Sequence, residues 1–403
     1  NPTSTSTLVA TTSNGIYRST DAGTSWTQVQ TGNFKDLDVN PSNFNEQYAS
    51  FYGNGTASIY KSTNGGSTWT KLTSGLPTTG VLRCAVGIAP STPSTVYAIY
   101  CDNTSGGYGL YGIYKSTNSG STWTQVKGST SPNVLGWNSN GSDTGVGQGW
   151  YDLCITVSPT DANTVYTGGV NIWKSTNGGS TWTINAHWTG SGAAYVHADH
   201  HAIEFLRGSG TTLFSGNDGG FFKTTNSGTN WTDYSNGLGI HQYYRISAAK
   251  TSANTILGGA QDNGTDRYNG TSWTRIIGGD GMECQVDYTN ANIQYGALYY
   301  GDLYRTTTGG TPSNISDPTE DGAWVTPYVL HPTTNTTMYY ATASKVYRST
   351  NITNTNPTWT AISGTLGSAS DPLTVLAVAP SNGTTILTAN AAGAWKGTAS
   401  GST

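Results

Sequence analysis

The segment Tyr195–Phe205, YVHADHHAIEF, places His197, Asp199, His200, His201 and Glu204 close together in a 403-residue chain. Read as a strand, it points His197, Asp199 and His201 to one side and His200 and Glu204 to the other. A His-x-Asp-x-His face could ligate a transition metal, or set a general acid beside a base. Strand residues two apart stand about 6.5–7 Å from each other, so ligation requires the strand to bend. The alternative is a set of hydrogen-bonded structural groups. Further carboxylates sit in GNDGG (216–220), AQDNG (260–264) and the turn Asp280–Glu283. Asp199, Asp218, Asp262 and Asp280 are therefore the candidate catalytic acids. Two such groups about 5–5.5 Å apart would support retaining glycoside hydrolysis, and about 6.5–9.5 Å apart inverting hydrolysis. Asp-Gly and Asn-Gly are also ordinary turn formers. The sequence demands no cofactor; acidic loops with backbone carbonyls make Ca²⁺ or another divalent cation the candidate.

Aromatic side chains crowd the longest connections. Tyr108 and Tyr111 lie in CDNTSGGYGLYG (101–112), Trp137, Trp150 and Tyr151 in the run from Lys127 to Tyr151, and Trp188 and Tyr195 between Asn185 and Asp199. Loops this long inside a compact repeat are usually functional or disordered. Trp137, Trp150, Trp188, Tyr195 and Tyr108 are the candidate ligand-binding residues, because exposed Trp and Tyr beside Asn and Asp can stack on sugar faces and bond hydroxyls. Local packing over the sheet ends is the competing explanation.

What positions these residues is a repeat. The runs YRSTDAGTSWT (17–27), YKSTNGGSTWT (60–70), YKSTNSGSTWT (114–124), WKSTNGGSTWT (173–183) and FKTTNSGTNWT (222–232) align, with degenerate copies at 267–274, 304–310 and 347–360. The Asp or Asn can bond backbone amides two residues on, and the glycines accept positive φ, so each run reads as a hairpin turn rather than chemistry. Two more strands precede each one, as in DLCITVSP (152–159) and TVYTGG (164–169). Each unit is thus a four-stranded antiparallel meander, and such sheets packed radially are propeller blades. The expected fold is an all-β propeller of eight or nine blades, with seven plus part of a second propeller as the alternative. One propeller is expected over 1–403, its repeats ending near Trp26, Trp69, Trp123, Trp182, Trp231, Trp273, Ser313 and Trp359, with the first and last units clipped mid-repeat. In such meanders the repeat turns share one face with the A–B turns, and the irregular connections and all the candidate residues fall on the other.

Charged residues are only 10% of the chain and net charge is −4. Seven of the 18 basic residues occupy one repeat position: Arg18, Lys61, Lys115, Lys174, Lys223, Arg305 and Arg348. Spread around the fold they leave no basic stripe for nucleic acid. No apolar run approaches membrane-spanning length, and any targeting segment is expected to have been removed already. The four cysteines include no CxxC pair. If Ala89 pairs with Val96, Cys84 falls opposite Cys101 and a cross-strand disulfide could close a loop of about 16 residues, worth roughly 3 kcal/mol. Cys154 and Cys284 are expected to be free.

The repeated runs resemble the Asp-box, or BNR, repeat, Ser/Thr-x-Asp/Asn-x-Gly-x-x-x-Trp with its spacing relaxed by a residue. GQGWYDL, VHADHHAIEF, GNDGGFFKT, GAQDNGT, GGDGM and YGALYYGDLYR, all within 147–305, resemble large secreted Bacteroidota proteins exported by type IX secretion. That resemblance implies a secreted or cell-surface module of a larger multimodular chain. Sialidases share the repeat and need an arginine triad; only Arg83, Arg207, Arg245, Arg267 and Arg275 lie outside the regular repeat position and the Arg-Ile-Pro start is missing, so a sialidase is not expected. Xyloglucanase-like glycoside hydrolases place carboxylates between two tandem propellers, for which this chain is too short. The expected function is a secreted binding module, adhesive or structural, that takes a glycan or a surface protein on the irregular face. The alternative is a glycoside hydrolase using two carboxylates there.

Overall fold

A computed structural model describes residues 1–103 and 107–399. Residues 104–106 of the long connection 101–112, and the last four residues of the final unit, lie outside the described residues. The described residues form nine antiparallel meanders, in which each strand pairs with its sequence neighbour. Their third strands are Gly15–Ser19, Ser58–Ser62, Leu110–Ser116, Ile172–Ser175, Gly220–Thr224, Gly264–Tyr268, Leu303–Thr306, Val346–Ser349 and Ala394–Thr398, the nine places where the repeat puts a hairpin. The fold is a β-propeller fold. The first and last sheets have three strands. The fourth has five, because Ala194–Tyr195 adds a parallel strand to Thr183–His187. The chain divides into two compact units, 1–238 and 239–403.

Within each unit the sheets pack face to face through one apolar cluster or more per neighbouring pair. In the first unit, Tyr97, Ile99 and Ile113 of the third sheet meet Leu153, Val165 and Trp173 of the fourth. In the second, Tyr295 and Leu303 of the seventh meet Tyr328 and Tyr340 of the eighth. Alternation along each strand supplies one buried face for each neighbour, which explains the near-continuous burial of strands such as Val96–Asp102.

The repeat turn closes by a reciprocal pattern. Ser175 Oγ donates to Asn177 Oδ1 at 3.0 Å and accepts the Gly179 amide at 2.9 Å; Asn177 Oδ1 accepts the Thr181 amide at 2.9 Å, and Trp182 Nε1 donates to the Gly179 carbonyl at 2.8 Å. The Asp or Asn side chain therefore caps the amide four residues on, not two, while the preceding hydroxyl handles the glycine. In the second to fifth, seventh and eighth sheets the turn also bonds the first hairpin of its own sheet, as Gly178 N–H does to the Asn163 carbonyl at 2.9 Å. The two kinds of turn thus lie at one end of the sheet, and the second-to-third-strand turns and long connections lie at the other.

The repeated basic residues join neighbouring sheets. Arg18 Nε donates to the Gly65 carbonyl at 2.9 Å and Lys61 Nζ to the Ser119 carbonyl at 2.6 Å, each reaching the repeat turn of the following sheet. Lys61, Lys115 and Lys174 also lie over Tyr48, Tyr97 and Tyr166 at 5.2, 5.4 and 5.4 Å.

The thiol expectation is corrected. Ile88, not Ala89, pairs with Val96, so Cys84 faces Tyr100 and Arg83 faces Cys101. This one-residue offset sends the two thiols to opposite faces of the sheet, where Cys84 joins one core cluster and Cys101 the next. All four cysteines are free thiols.

Candidate functional site

Three segments of the first unit converge at the end of the sheets away from the repeat turns. The first is the turn Gln148–Asp152, where the Gln148 carbonyl accepts both the Tyr151 amide at 2.7 Å and the Asp152 amide at 3.1 Å. It is packed tightly: a Cβ on Gly149 would stand 2.9 Å from Cys101 and Leu135. Arg83 fastens it from the neighbouring sheet, donating to the carbonyls of Trp150, Tyr151 and Leu153. The second segment is His197–His201, and the third is the turn carrying Asp218.

The three meet through side chains. Tyr151 Oη donates to Asp218 Oδ2 at 2.7 Å, and His201 Nε2 lies 2.7 Å from Asp218 Oδ1. Gln148 Nε2 donates to Asp199 Oδ1 at 2.9 Å, and the buried Asp152 lies near enough to Asp199 for that carboxyl to act on it. One oxygen of Asp199 lies within 4.8 Å of one of Asp218. Burial and the neighbouring Asp218 raise the Asp199 carboxyl above its ordinary range. Burial, then Asp199, holds that of Asp152 well above it. Burial also works against ionisation of Asp218, but hydrogen bonds from His201 and Tyr151 outweigh it and hold this carboxyl low.

An aromatic path leads outward from these acids. The His201 and Tyr151 rings meet edge-to-face at 5.0 Å, Tyr151 and Trp150 lie 5.5 Å apart, and Trp150 and Tyr108 6.4 Å apart. Trp150 is 47% exposed. The site therefore offers an open aromatic face beside charged acceptors.

The His-x-Asp-x-His face does not form as a strand. The strand begins only at His200, and Asp199 has φ of +65°, which breaks the alternation. A bulge between His200 and Ala202 re-aims His201 onto Asp218. His200 is buried on Ser215, 2.7 Å from its Oγ, and burial lowers its pKa to about 3. His197 packs on Gly219, where a Cβ would come within 2.1 Å of its ring. Of the candidate metal ligands His197, Asp199 and His201, the last two are hydrogen-bonded into the acid cluster, and His197 lies close enough for its charge to act on Asp199 and Asp218.

The other candidates separate into groups. Trp137 and Trp188 are exposed and held by buried Asn171, whose Nδ2 donates to the Trp137 carbonyl at 3.2 Å and whose Oδ1 accepts the Trp188 amide at 3.1 Å. Tyr195 is exposed and lies edge-to-face on Phe222 at 6.2 Å. Asp262 and Asp280 belong to the second unit, where Asp280 Oδ1 accepts the Asp262 amide at 2.8 Å. That unit also carries an exposed group unforeseen from sequence: Tyr299 stacks on Trp324 at 5.5 Å, with Tyr300 at right angles to both. In the first unit, Gln148 was likewise unforeseen; its adjacency to Trp150–Asp152 in GQGWYDL was the available signal.

A family model described as Sortilin, neurotensin receptor 3 (Sortilin-Vps10) matches residues 14–163. No curated protein matches the chain. Among solved structures, an ancestral GH74 enzyme aligns with a TM-score of 0.57 at 16% identity, covering 99% of this chain and 68% of its own. A GH74 enzyme of Niastella koreensis aligns at 0.40 and 18% identity, covering 99% and 70%. PorZ, a surface component of the type-IX secretion system of Porphyromonas gingivalis, aligns at 0.46 and 13% identity, covering 95% of this chain and 49% of its own. The first of these likenesses carries the fold: the chain is a β-propeller resembling such proteins. No helix among the described residues is long and apolar enough to cross a membrane.

Proposed function

We propose that this propeller is a secreted or cell-surface carbohydrate-binding module, and that the first unit takes a sugar at Trp150, Tyr151, Asp218 and His201. One observation carries the reading: an exposed indole leads, through the Tyr151 ring, to a carboxylate held in its charged form. A pyranose ring needs both an apolar platform for its C–H face and fixed acceptors for its hydroxyls. The Trp137–Trp188 pair on Asn171 supplies a further stacking surface in the same unit. A glycan array with the full chain tests this. Binding should appear on a defined set of glycans and fall by roughly tenfold or more in Trp150→Ala, as loss of a buried aromatic anchor does. Unchanged binding in that variant sinks the proposal.

A second reading, hydrolysis, draws on the opposed shifts of Asp199 and Asp218, which would suit an acid and a base. Their oxygens lie within 4.8 Å, short of the about 6.5–9.5 Å of an inverting pair. Release of new reducing ends from a bound polysaccharide, abolished in Asp199→Asn, would establish it. Binding without release leaves the module reading alone.

A further inference from the structure

Two turns of the second unit, 299–302 and 321–324, hold three aromatic rings open to water. Tyr299, Tyr300 and Trp324 are 42%, 48% and 41% exposed, although large aromatic side chains gain most from burial. Backbone bonds clamp the turns together: Tyr300 N–H donates to the Trp324 carbonyl at 3.3 Å, and Gly322 N–H to the Tyr300 carbonyl at 2.8 Å. Tyr340 Oη donates to the Gly301 carbonyl at 2.7 Å, and Trp324 Nε1 to Tyr244 Oη at 3.1 Å. The rings are thus held in place before any partner arrives. Tyr300 has φ of +61°, a left-handed backbone that a bulky side chain rarely adopts and glycine takes freely. A ring so exposed returns little packing for that strain, and such strain collects at binding sites.

We infer that Tyr299, Tyr300 and Trp324 form a docking site for an arginine side chain of a partner protein. Three observations choose that occupant. The rings lie open, whereas a small molecule takes a concave site that buries most of its surface. The fit is therefore to a side chain standing out from a larger partner. The charge around the rings is negative. Asp302 and Asp321 belong to the two turns, Glu320 accepts the Thr342 hydroxyl, and Asp317 Oδ2 accepts the Leu303 amide at 3.2 Å. Burial, then the charges of Asp302 and Asp321, raise the Asp317 carboxyl, so these acids repel one another. Against them stands Lys345, on the hairpin that bonds Glu320 and Asp321. Arg305 spends its guanidinium on the Ile352 and Asn354 carbonyls, and Arg245 pairs with Glu283. Finally, Tyr299 and Trp324 lie parallel while Tyr300 stands at right angles to both, so faces are offered in two directions. A planar guanidinium can stack on such a face and bond a carboxylate at once, which a compact ammonium cannot. This inference does not rest on sugar binding at Trp150.

The test follows the fluorescence anisotropy of a labelled Gly-Arg-Gly-Arg-Gly peptide on the full chain. The same peptide with citrulline, a neutral isostere, in place of arginine runs beside it. The arginine peptide should bind, less tightly as salt rises, and the citrulline peptide should bind roughly tenfold or more weakly, as loss of an interface anchor does. Tyr300→Gly removes a ring, relieves the left-handed backbone and leaves net charge unchanged, so bulk attraction to an acidic chain is held constant. It should weaken the arginine peptide roughly tenfold or more, with a melting temperature equal to or above that of the wild type. Trp324→Leu, also neutral, gives an independent reading of the same loss, with its fold checked by near-ultraviolet circular dichroism. Asp302→Asn/Asp321→Asn should weaken binding and flatten its salt dependence. Absent binding of the arginine peptide, equal binding of the citrulline peptide, or equal binding by folded Tyr300→Gly or Trp324→Leu overturns the inference. A melting temperature lowered by Tyr300→Gly would assign the ring to the fold and overturn it as well. Trp150→Ala should leave the peptide bound as before. Peptide binding with a blank glycan array would leave this site standing and the sugar reading fallen; the converse result would separate them the other way.

Discussion

Tyr151 Oη donates a 2.7 Å hydrogen bond to Asp218 Oδ2, joining residues that lie 67 positions apart in the chain. This bond couples the aromatic path to the acids: it fixes the ring that Trp150 lies beside, and with His201 it keeps Asp218 ionised against the cost of its burial. Phenylalanine at 151 keeps the ring and removes the bond. Tyr151→Phe should cost about 1.5–3 kcal/mol, the range for a hydrogen bond to a charged group, and should raise the pKa at which Asp218 titrates. Carbon-13 NMR of the aspartate carboxyls against pH checks this; an unmoved Asp218 midpoint would show that the bond does not hold it down.

The inner strands of the first unit give a pH dependence. Asp36 Oδ2 accepts the Val86 amide at 3.0 Å and Asp38 Oδ2 the Ile88 amide at 2.6 Å, so two carboxyls staple one sheet's inner edge to the next. Both face a cavity of about 640 Å³ that Glu204 also lines. Burial raises Asp36 above its usual range and takes Asp38 to about 7. A raised folded pKa contributes stability that is fully present below the unfolded value and lost as pH rises through the folded one. For Asp38 that window runs from 3.8 to about 7. Asparagine keeps an oxygen for each amide and cannot ionise. The melting temperature of Asp36→Asn/Asp38→Asn should therefore gain on that of the wild type as pH rises through this window. A constant difference would contradict the assignment.

The repeat turns should act on stability alone. Ser175 is buried and both accepts from Gly179 and donates to Asn177, so Ser175→Ala leaves a glycine amide without its acceptor. Its cost should be about 1–3 kcal/mol, seen as a lowered melting temperature with ligand affinity unchanged. A changed affinity with unchanged melting would reverse the division between structural and functional ends of the sheet.

The four thiols should behave as buried hydrophobes. Alkylation under denaturing, non-reducing conditions should label Cys84, Cys101, Cys154 and Cys284 all together, since each is free. Mass spectrometry showing two of them unlabelled would restore the cross-strand disulfide that the register rules out.

The nine sheets were legible because the information is local. A strand pattern, a Ser-x-Asn turn and a Trp recur within a dozen residues, and each turn closes on its own side chains. The Cys84–Cys101 pairing failed by one residue, since nothing local distinguishes Ile88 from Ala89 as the partner of Val96. The site was legible in its parts and not in its assembly. Asp199 and Asp218 stood out by composition, but the left-handed backbone at Asp199 and the bulge that turns His201 arise where distant segments dock. Gln148 was marked only by its adjacency to Trp150–Asp152, because its role is defined by the arrival of Asp199.

A crystal of the full chain soaked with an oligosaccharide selected from the array tests the central claim most directly. The account predicts a pyranose ring lying on the Trp150 indole, with hydroxyls bonded to Asp218 or His201. A sugar seated instead at the repeat-turn end of the sheets, with the Trp150 face bare, would contradict it.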